Sequence, residues 1–133
     1  MADDKVKHID HMYSLHKVYN KSMLDIWSKN NMDKKYYVEP KYDGCAVCLL
    51  YKDFKLHTIS TRGDGAYGKD ITRHRNIISN IVDNLDKAIK DIKEDFEIRG
   101  EVVVYKEDFE EINKDNIYSN TRNYVSGDRK SVV

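Results

Sequence analysis

Apolar residues recur at helical spacing near the start of the chain. The recurring positions follow a period near 3.6, with Ser14 as a candidate cap and Asn30-Asn31 as a stop signal. These positions are Leu15, Val18, Tyr19, Met23, Ile26 and Trp27. The pattern predicts an amphipathic helix over residues 16–30, whose apolar face packs on the sheet that follows.

Strand-like alternation comes after this helix. Residues 36–51 alternate aromatic and β-branched side chains with charged ones and predict one or two strands. Lys52-Asp53-Phe54 predicts a turn into a strand over residues 55–61, so the two segments form an antiparallel hairpin. Residues 96–105 form the clearest strand, with Glu101 in its middle. A carboxylate there costs free energy unless a partner or a ligand contacts it.

The remaining elements are a glycine-rich loop and three helical segments. Three glycines within residues 62–68 predict a loop whose backbone can approach a ligand closely. An apolar stripe that starts at Asp70 or Thr72 predicts a second helix ending near residue 86, followed by a charged connection over residues 87–95. A short surface helix is expected over residues 106–113, and a helical turn closed by Gly127 within residues 120–130.

These elements predict a single α+β domain, mainly an antiparallel sheet with flanking helices. The 133 residues suit one domain, and 23 basic residues balance 23 acidic ones, so no global positive field marks a nucleic-acid binder. The sequence has no apolar run approaching the roughly 20 residues of a membrane span, and no apolar core of a signal peptide. We therefore expect an intracellular protein that is not membrane-bound. A monomer is expected as well.

Cysteine and histidine pairs raise the question of a metal site. Cys45 and Cys48 lie in a predicted strand, where they would face opposite sides. A lone pair of cysteines is a poor zinc site, so buried apolar thiols are favoured over a redox or metal role. The spacing His8-x-x-His11 has no further ligands near it in the sequence. We therefore predict no metal ligand among these residues.

A lysine flanked by carboxylates is the main chemical signal. If residues 38–44 are extended, Glu39, Lys41 and Asp43 share one face. Such an amine is either a nucleophile with its helpers or a surface lysine in weak ion pairs. Because carboxylates stabilise a nearby ammonium ion, neither acid would activate the amine. Holding a base, a metal ion or the amine in place is the role that suits them better.

Four separated segments resemble the adenylation domain of bacterial-type NAD-dependent DNA ligases. Residues 39–44 are similar to the family's Glu-Pro-Lys-x-Asp-Gly, and residues 61–70 to its Thr-Arg-Gly-Asp-Gly-x-x-Gly-x-Asp. Residues 98–102 resemble its Val-Arg-Gly-Glu-Val, and residues 120–127 its Asn-Pro-Arg-Asn-Ala-Ala-Ala-Gly. Near the N-terminus, Met12-x-Ser14-Leu15 resembles its Met-Leu-Ser-Leu. The resemblance covers about residues 8–130.

The resemblance implies which residues meet the reacting phosphates. Lys41 would attack the α-phosphate of NAD to give a lysyl-adenylate, with Asp43 beside it in catalysis and Mg²⁺ on the substrate phosphates. The family then passes AMP to the 5′-phosphate of a nick in double-stranded DNA and seals the nick. Arg122 and Lys130 would meet phosphate. Lys130 stands where the family usually has arginine, so it lacks the planar fork needed for bidentate contact.

The resemblance also implies which residues hold the nucleotide. Adenine recognition would fall to Glu39, Ser14 and Leu15, and the ribose side to Arg62 and Glu101. The fold would be part of a nucleotidyltransferase domain of the ATP-grasp-like ligase type. Its later lysine motifs, the nicotinamide-binding N-terminal domain and the DNA-binding modules have no counterpart in residues 1–133.

We therefore expect a partial adenylation domain that binds adenylate weakly and does not seal nicks alone. Two alternatives stay open. One is an ATP-dependent nucleotidyltransferase similar to RNA or DNA ligases, and the other is a truncated remnant that binds adenylate without catalysis.

Overall fold

A computed structural model of the chain describes residues 4–85, 92 and 94–127. Within them, two antiparallel sheets are accompanied by short helices. The strands are β1 Lys5–Lys7, β2 Cys45–Lys52, β3 Lys55–Thr61, β4 Tyr67–Lys69 and β5 Phe96–Val102. The helices are α1 Lys21–Lys29, α2 Lys106–Ile112 and α3 Thr121–Ser126, with a 3-10 helix at Thr72–Ile77. The predicted α+β class with mainly antiparallel strands is confirmed.

Strand β2 is the centre of the larger sheet, whose order is β3-β2-β5, while β1 pairs with β4 in a separate ribbon. The predicted hairpin is confirmed, because β2 and β3 pair from Val47 opposite Thr61 to Lys52 opposite Lys55. Its two loop residues, Asp53 and Phe54, both have positive φ angles, 45° and 61°. Such angles belong to a tight turn whose twist matches that of the paired strands.

The core lies where β2 meets its two neighbours. Ile59 is fully buried, and Tyr51, Cys48 and Val47 are no more than 4% exposed. The ring of Tyr51 stacks on Phe96 of β5, with centroids 5.5 Å apart. Its hydroxyl donates a hydrogen bond of 2.6 Å to the carbonyl of Val82, so this polar group is satisfied as its ring is buried.

The expected strand over residues 36–44 is absent from the structure, and β2 begins only at Cys45. Both neighbours end near this point, because β5 pairs its last residue, Val102, with Cys45 and β3 ends at Thr61, opposite Val47. The preceding residues therefore have no ladder to join, and Tyr37 and Val38 are more than 90% exposed. The expected common face of Glu39, Lys41 and Asp43 on a strand is not observed.

Helix α1 is shorter than expected and does not pack as predicted. Asn20, rather than Ser14, caps it by accepting a hydrogen bond from the amide of Met23. Its nine residues are all exposed or half-buried, so the expected burial of its apolar face on the sheet is wrong. Trp27 instead contacts Tyr36, with ring centroids 5.1 Å apart. The helix thus packs on the segment that follows it.

The second expected helix is reduced to the 3-10 helix at Thr72–Ile77, so its predicted extension towards residue 86 is wrong for the residues described. Arg75 explains part of the difference, because its guanidinium donates to the carbonyls of Ile78 and Ile81 and to the carboxylate of Asp83. These carbonyls are satisfied by a side chain instead of a helical ladder. Asn80, with φ of 62°, then has a left-handed conformation that ends helical geometry.

The two C-terminal helices follow the sequence pattern. Helix α2 matches the expected surface helix, and α3 is capped by Asn120 at its start and by Gly127, with φ of 73°, at its end. Tyr124 of α3 makes ring contacts with Phe109 of α2 and with Tyr118. Within the described ranges, every helix is too short or too polar to cross a membrane.

Substituting Gly68 with alanine should destabilise the fold, because an added Cβ would lie 1.8 Å from the carbonyl oxygen of Thr61. Overpacking of this kind typically costs about 1–3 kcal/mol. Gly100→Ala is the matched control, since a Cβ there meets no described atom within 4 Å. Urea denaturation should show a clear loss for Gly68→Ala and little change for Gly100→Ala. Equal stabilities of the two variants would contradict the close approach.

Candidate active site

Polar contacts attach the N-terminal segment, residues 8–14, to strand β5. The amide of Ile9 donates a 2.6 Å hydrogen bond to Glu97 Oε1. The guanidinium of Arg99 donates to the carbonyls of Asp10 and His11, at 2.6 and 3.3 Å. Hydrogen bonds from a charged group are stronger than neutral ones. Two alternate side chains of β5 thus fix the path of a segment far away in sequence.

The predicted loop is confirmed over residues 62–66, where its own aspartate holds it, whereas its last two expected residues, Tyr67 and Gly68, belong to β4. Asp64 Oδ1 accepts hydrogen bonds from the amides of Ala66 and Tyr67, at 2.9 and 2.8 Å. Gly63 and Gly65 have φ angles of 56° and 98°, which glycine adopts without steric cost. The two amide donors lower the pKa of the Asp64 carboxyl below its usual value.

Arg62 joins this loop to the N-terminal segment. One guanidinium nitrogen donates to Ser14 Oγ at 3.0 Å, and the Arg62 amide donates to the carbonyl of Ala46 at 3.1 Å. The carbonyl of Arg62 receives a hydrogen bond from His8 Nε2 at 3.1 Å. The structure therefore brings the predicted residues Ser14 and Arg62 into direct contact. Leu15, beside Ser14, is 74% exposed and free to contact a ligand.

Glu101 lies near the end of β5, not in the middle of a longer strand as expected. In the register of the sheet it is opposite Ala46 of β2. Its carboxylate accepts a hydrogen bond of 3.2 Å from the amide of Gly44, the residue that closes the Glu-Pro-Lys-Tyr-Asp-Gly segment. Glu101 is otherwise exposed, so its carboxylate is accessible near the end of β5, beside Gly44, which follows Lys41 by three residues.

Lys41, Glu39 and Asp43 are exposed on the segment before β2. Asp43 Oδ1 lies 3.9 Å from a guanidinium nitrogen of Arg122 on α3, a weak pair because both side chains are more than 60% exposed. Half-buried Cys45 lies two residues after Asp43. Burial and the Glu101 carboxylate raise the pKa of its thiol, while the guanidinium of Arg122 lowers it. Lys130, the second predicted phosphate contact, lies outside the described residues.

Sequence reasoning missed a buried polar cluster made by His8, Cys48 and Glu97. Burial and the Glu97 carboxylate, which accepts a hydrogen bond from the thiol, raise the pKa of Cys48 to about 12. Burial also acts to raise the pKa of Glu97, but the hydrogen bonds from Ile9 and Arg99 outweigh it and hold that pKa below its usual value. The three residues come from separate segments, so sequence spacing gave no signal for the cluster.

A large apolar groove of about 1060 Å³ lies between the larger sheet and helices α2 and α3. Its lining includes Cys45, Val47, Val102, Ile112 and Tyr124. In an antiparallel sheet, cross-strand partners share a face and successive residues alternate. Val47 therefore faces the groove, while Ala46 and its partner Glu101 face the other way. The groove and Glu101 are therefore on different faces of the sheet.

The comparisons with known proteins agree with the motifs. The family model of the NAD-dependent DNA ligase adenylation domain matches residues 2–132. Proteins named DNA ligase from Campylobacter jejuni (strain 81-176) and Campylobacter lari are each 41% identical over 130 residues, which is 92% of this chain and 19% of the relative. A DNA ligase from Sulfurovum is 38% identical over 133 residues, 92% of this chain and 20% of its own length.

The chain belongs to the NAD-dependent DNA ligase adenylation domain family. The family predicted from the motifs is thus confirmed. The chain spans about a fifth of the length of the curated relatives it matches.

The loop of residues 62–66 should be sensitive to acid through Asp64. Because the folded-state pKa of Asp64 is lowered, its contribution to stability is present above the usual aspartate pKa of about 3.9 and is lost as pH falls through the folded-state value. NMR titration should show the amides of Ala66 and Tyr67 shifting only below about pH 4. Asp64→Ala should abolish that titration, whereas Asp33→Asn should not. Unchanged amide shifts throughout acidification would contradict the loop's dependence on the carboxylate.

Proposed function

We propose that this chain is the nucleotide-binding part of the adenylation domain of an NAD-dependent DNA ligase, with a nucleotidyltransferase fold of which residues 1–133 form a portion. Two contacts carry the proposal: Glu101 bonds to Gly44 of the segment that bears Lys41, and Arg62, bonded to Ser14, donates its amide to Ala46 two residues further on. Glu101 contacts Gly44 at 3.2 Å, and Gly44 is three residues after Lys41, so their Cα atoms are at most about 11 Å apart.

The proposed chemistry is nucleotidyl transfer to Lys41. The neutral amine attacks the α-phosphate of NAD, a phosphorus–nitrogen bond forms, the phosphoanhydride bond breaks, and nicotinamide mononucleotide leaves with the electron pair as the amine loses a proton. Exposure of Lys41 makes its amine accessible to a dinucleotide. Glu39 and Leu15, also exposed, are assigned to the adenine together with Ser14.

The ribose and phosphate contacts follow from the fixed positions of charged groups. Arg62 is oriented by its bond to Ser14 Oγ at 3.0 Å, and a guanidinium presents several donors in one plane. Glu101 offers a carboxylate oxygen that can accept a hydrogen bond from a ribose hydroxyl. Arg122, exposed and near Asp43, is assigned to phosphate.

The residues present are compatible with Mg²⁺ in a supporting role. Mg²⁺ prefers oxygen ligands and usually binds one or two carboxylates together with substrate phosphates and waters. Asp43 provides an exposed carboxylate two residues from Lys41. When bound, Mg²⁺ would neutralise charge on the phosphates. The role of Asp43 would be to hold the ion and orient the amine.

Nicked double-stranded DNA is the proposed second substrate, to whose 5′-phosphate AMP passes from Lys41. The balanced charge of the chain, 23 basic and 23 acidic residues, gives no global positive field that would attract DNA. We therefore assign most DNA contacts to other parts of a longer, monomeric ligase.

Lys41→Ala should abolish covalent labelling by NAD that carries radioactive phosphate in its adenylate moiety, because the nucleophile is lost. The assay is incubation of the purified chain with labelled NAD and Mg²⁺, followed by denaturing electrophoresis and peptide mapping. Lys35→Ala is the matched control, since Lys35 is an exposed lysine of the same irregular segment and should keep its label.

Three results would count against this assignment. Label that persists in Lys41→Ala would refute Lys41 as the nucleophile. Preferential labelling by ATP would instead favour an ATP-dependent nucleotidyltransferase. A folded chain that takes no label from either donor would indicate a non-catalytic adenylate-binding protein.

Glu101→Gln should weaken NAD binding while preserving the local fold. The amide oxygen of glutamine can still accept from Gly44, whereas the charged acceptor for a ribose hydroxyl is lost. A hydrogen bond to a charged group is worth about 1.5–3 kcal/mol, so the Kd should rise about 10- to 150-fold. Isothermal titration gives the Kd, and the NMR shift of the Gly44 amide reports the local fold. An unchanged Kd would remove Glu101 from the site.

A further inference from the structure

The buried cluster of His8, Cys48 and Glu97 has the composition of a metal site. Their nitrogen, sulfur and carboxylate oxygen ligand atoms all lie within 4.8 Å of one another. His8 and Cys48 are only 4% and 2% exposed, and the side chain of Glu97 is 8% exposed. Buried polar groups need partners, and one atom of this cluster, His8 Nδ1, has none among the described residues.

The hydrogen bonds of His8 determine which ring nitrogen is available. A backbone carbonyl can only accept, so His8 Nε2 carries the proton in its 3.1 Å bond to Arg62. In the neutral ring, Nδ1 then has a free lone pair. This nitrogen is buried and has no hydrogen-bond partner among the described residues. Its 3.9 Å separation from Glu97 Oε1 is too long for a hydrogen bond. The lone pair of Nδ1 is therefore available to a ligand bound in the cluster.

We propose that His8 Nδ1, Cys48 Sγ and a carboxylate oxygen of Glu97 bind a zinc ion. Imidazole, thiolate and carboxylate are the three ligand types zinc takes in proteins, and the thiolate argues against Mg²⁺ or Ca²⁺. With all separations within 4.8 Å, a point exists no more than about 2.8 Å from each ligand atom. Zinc distances of about 2.0–2.3 Å then require only small side-chain shifts, and water can complete the tetrahedron.

The surroundings supply the outer contacts that such sites use. A metal-bound histidine usually donates its other ring nitrogen to a carbonyl or a carboxylate, as His8 does to Arg62. Ile9 and Arg99 hold the two oxygens of Glu97 from outside the cluster, at 2.6 and 3.3 Å. The carboxylate is therefore already oriented. The ion would join the N-terminal segment, β2 and β5 directly beneath the loop that carries Arg62.

Metal titration of the purified chain, after removal of bound metal by a chelator, tests this site without any nucleotide. Co²⁺ is the spectroscopic probe, because a bound thiolate gives a near-ultraviolet charge-transfer band. We expect one Co²⁺ per chain with this band, and displacement by Zn²⁺. Free Zn²⁺ at 100 times its Kd should also raise the folded-to-unfolded ratio about 100-fold in urea denaturation.

Cys48→Ser should lose the Co²⁺ band and the stabilisation by Zn²⁺, while Cys45→Ser should keep both. Cys45 is the matched control, because three positions along β2 place it on the opposite face of the sheet. Glu97→Gln, which keeps an oxygen acceptor for Ile9, should bind Co²⁺ more weakly but retain the thiolate band. It provides a second test if Cys48→Ser does not fold.

Three results would overturn the zinc site. They are a wild-type chain with no thiolate band, a band that survives in Cys48→Ser, and a band lost in a folded Cys45→Ser variant. Any of them would leave Cys48 hydrogen-bonded to Glu97 beside His8, with no ion held by the three. Because the readouts use only metal and denaturant, they are independent of whether Lys41 is adenylated.

Discussion

The pairing of β2 with a strand on each edge is the constraint on which the rest of the structure depends. It buries Tyr51 and Ile59 in the core, and it also sets where the polar residues lie. Glu101 is opposite Ala46 through the β5 register, and Arg62 donates to Ala46 from just beyond the end of β3. Because side chains alternate along strands, a shift of one residue would turn Glu101 towards the apolar groove. The candidate nucleotide site is therefore a consequence of register.

The N-terminal segment is positioned mainly by directed polar contacts. Its residues are mostly exposed, with Met12 and His8 as the buried exceptions, so apolar burial alone gives it little reason to follow one path. The contacts of Glu97 and Arg99 with its backbone provide that reason. Directed bonds fix distance and angle where apolar contact does not. Ser14 reaches Arg62 because the backbone before it is held by two ionised side chains of β5.

The sequence predicted what is encoded locally. The β2–β3 hairpin, the glycine loop, α2 and the cap at Gly127 all have short-range signals, namely turn residues, alternation and left-handed glycine. The strand expected before Cys45 does not form. Its residues alternate as a strand would, but no partner strand extends far enough to pair with them. The long helix expected after Thr72 failed because Arg75 binds the carbonyls that a helix would use. The apolar stripe of residues 70–86 carries no information about these side-chain hydrogen bonds.

The chemistry shows the same division between local and distant information. Lys41 is proposed from its motif, and its segment is anchored at one end, where Glu101 accepts the Gly44 amide. The cluster around His8 depends on three segments distant in sequence and had no local signal. Yet the two regions meet at Arg62, whose guanidinium is bonded to Ser14 and whose carbonyl is bonded to His8. Arg62 therefore contacts both the proposed nucleotide site and the cluster, through its side chain and its backbone respectively.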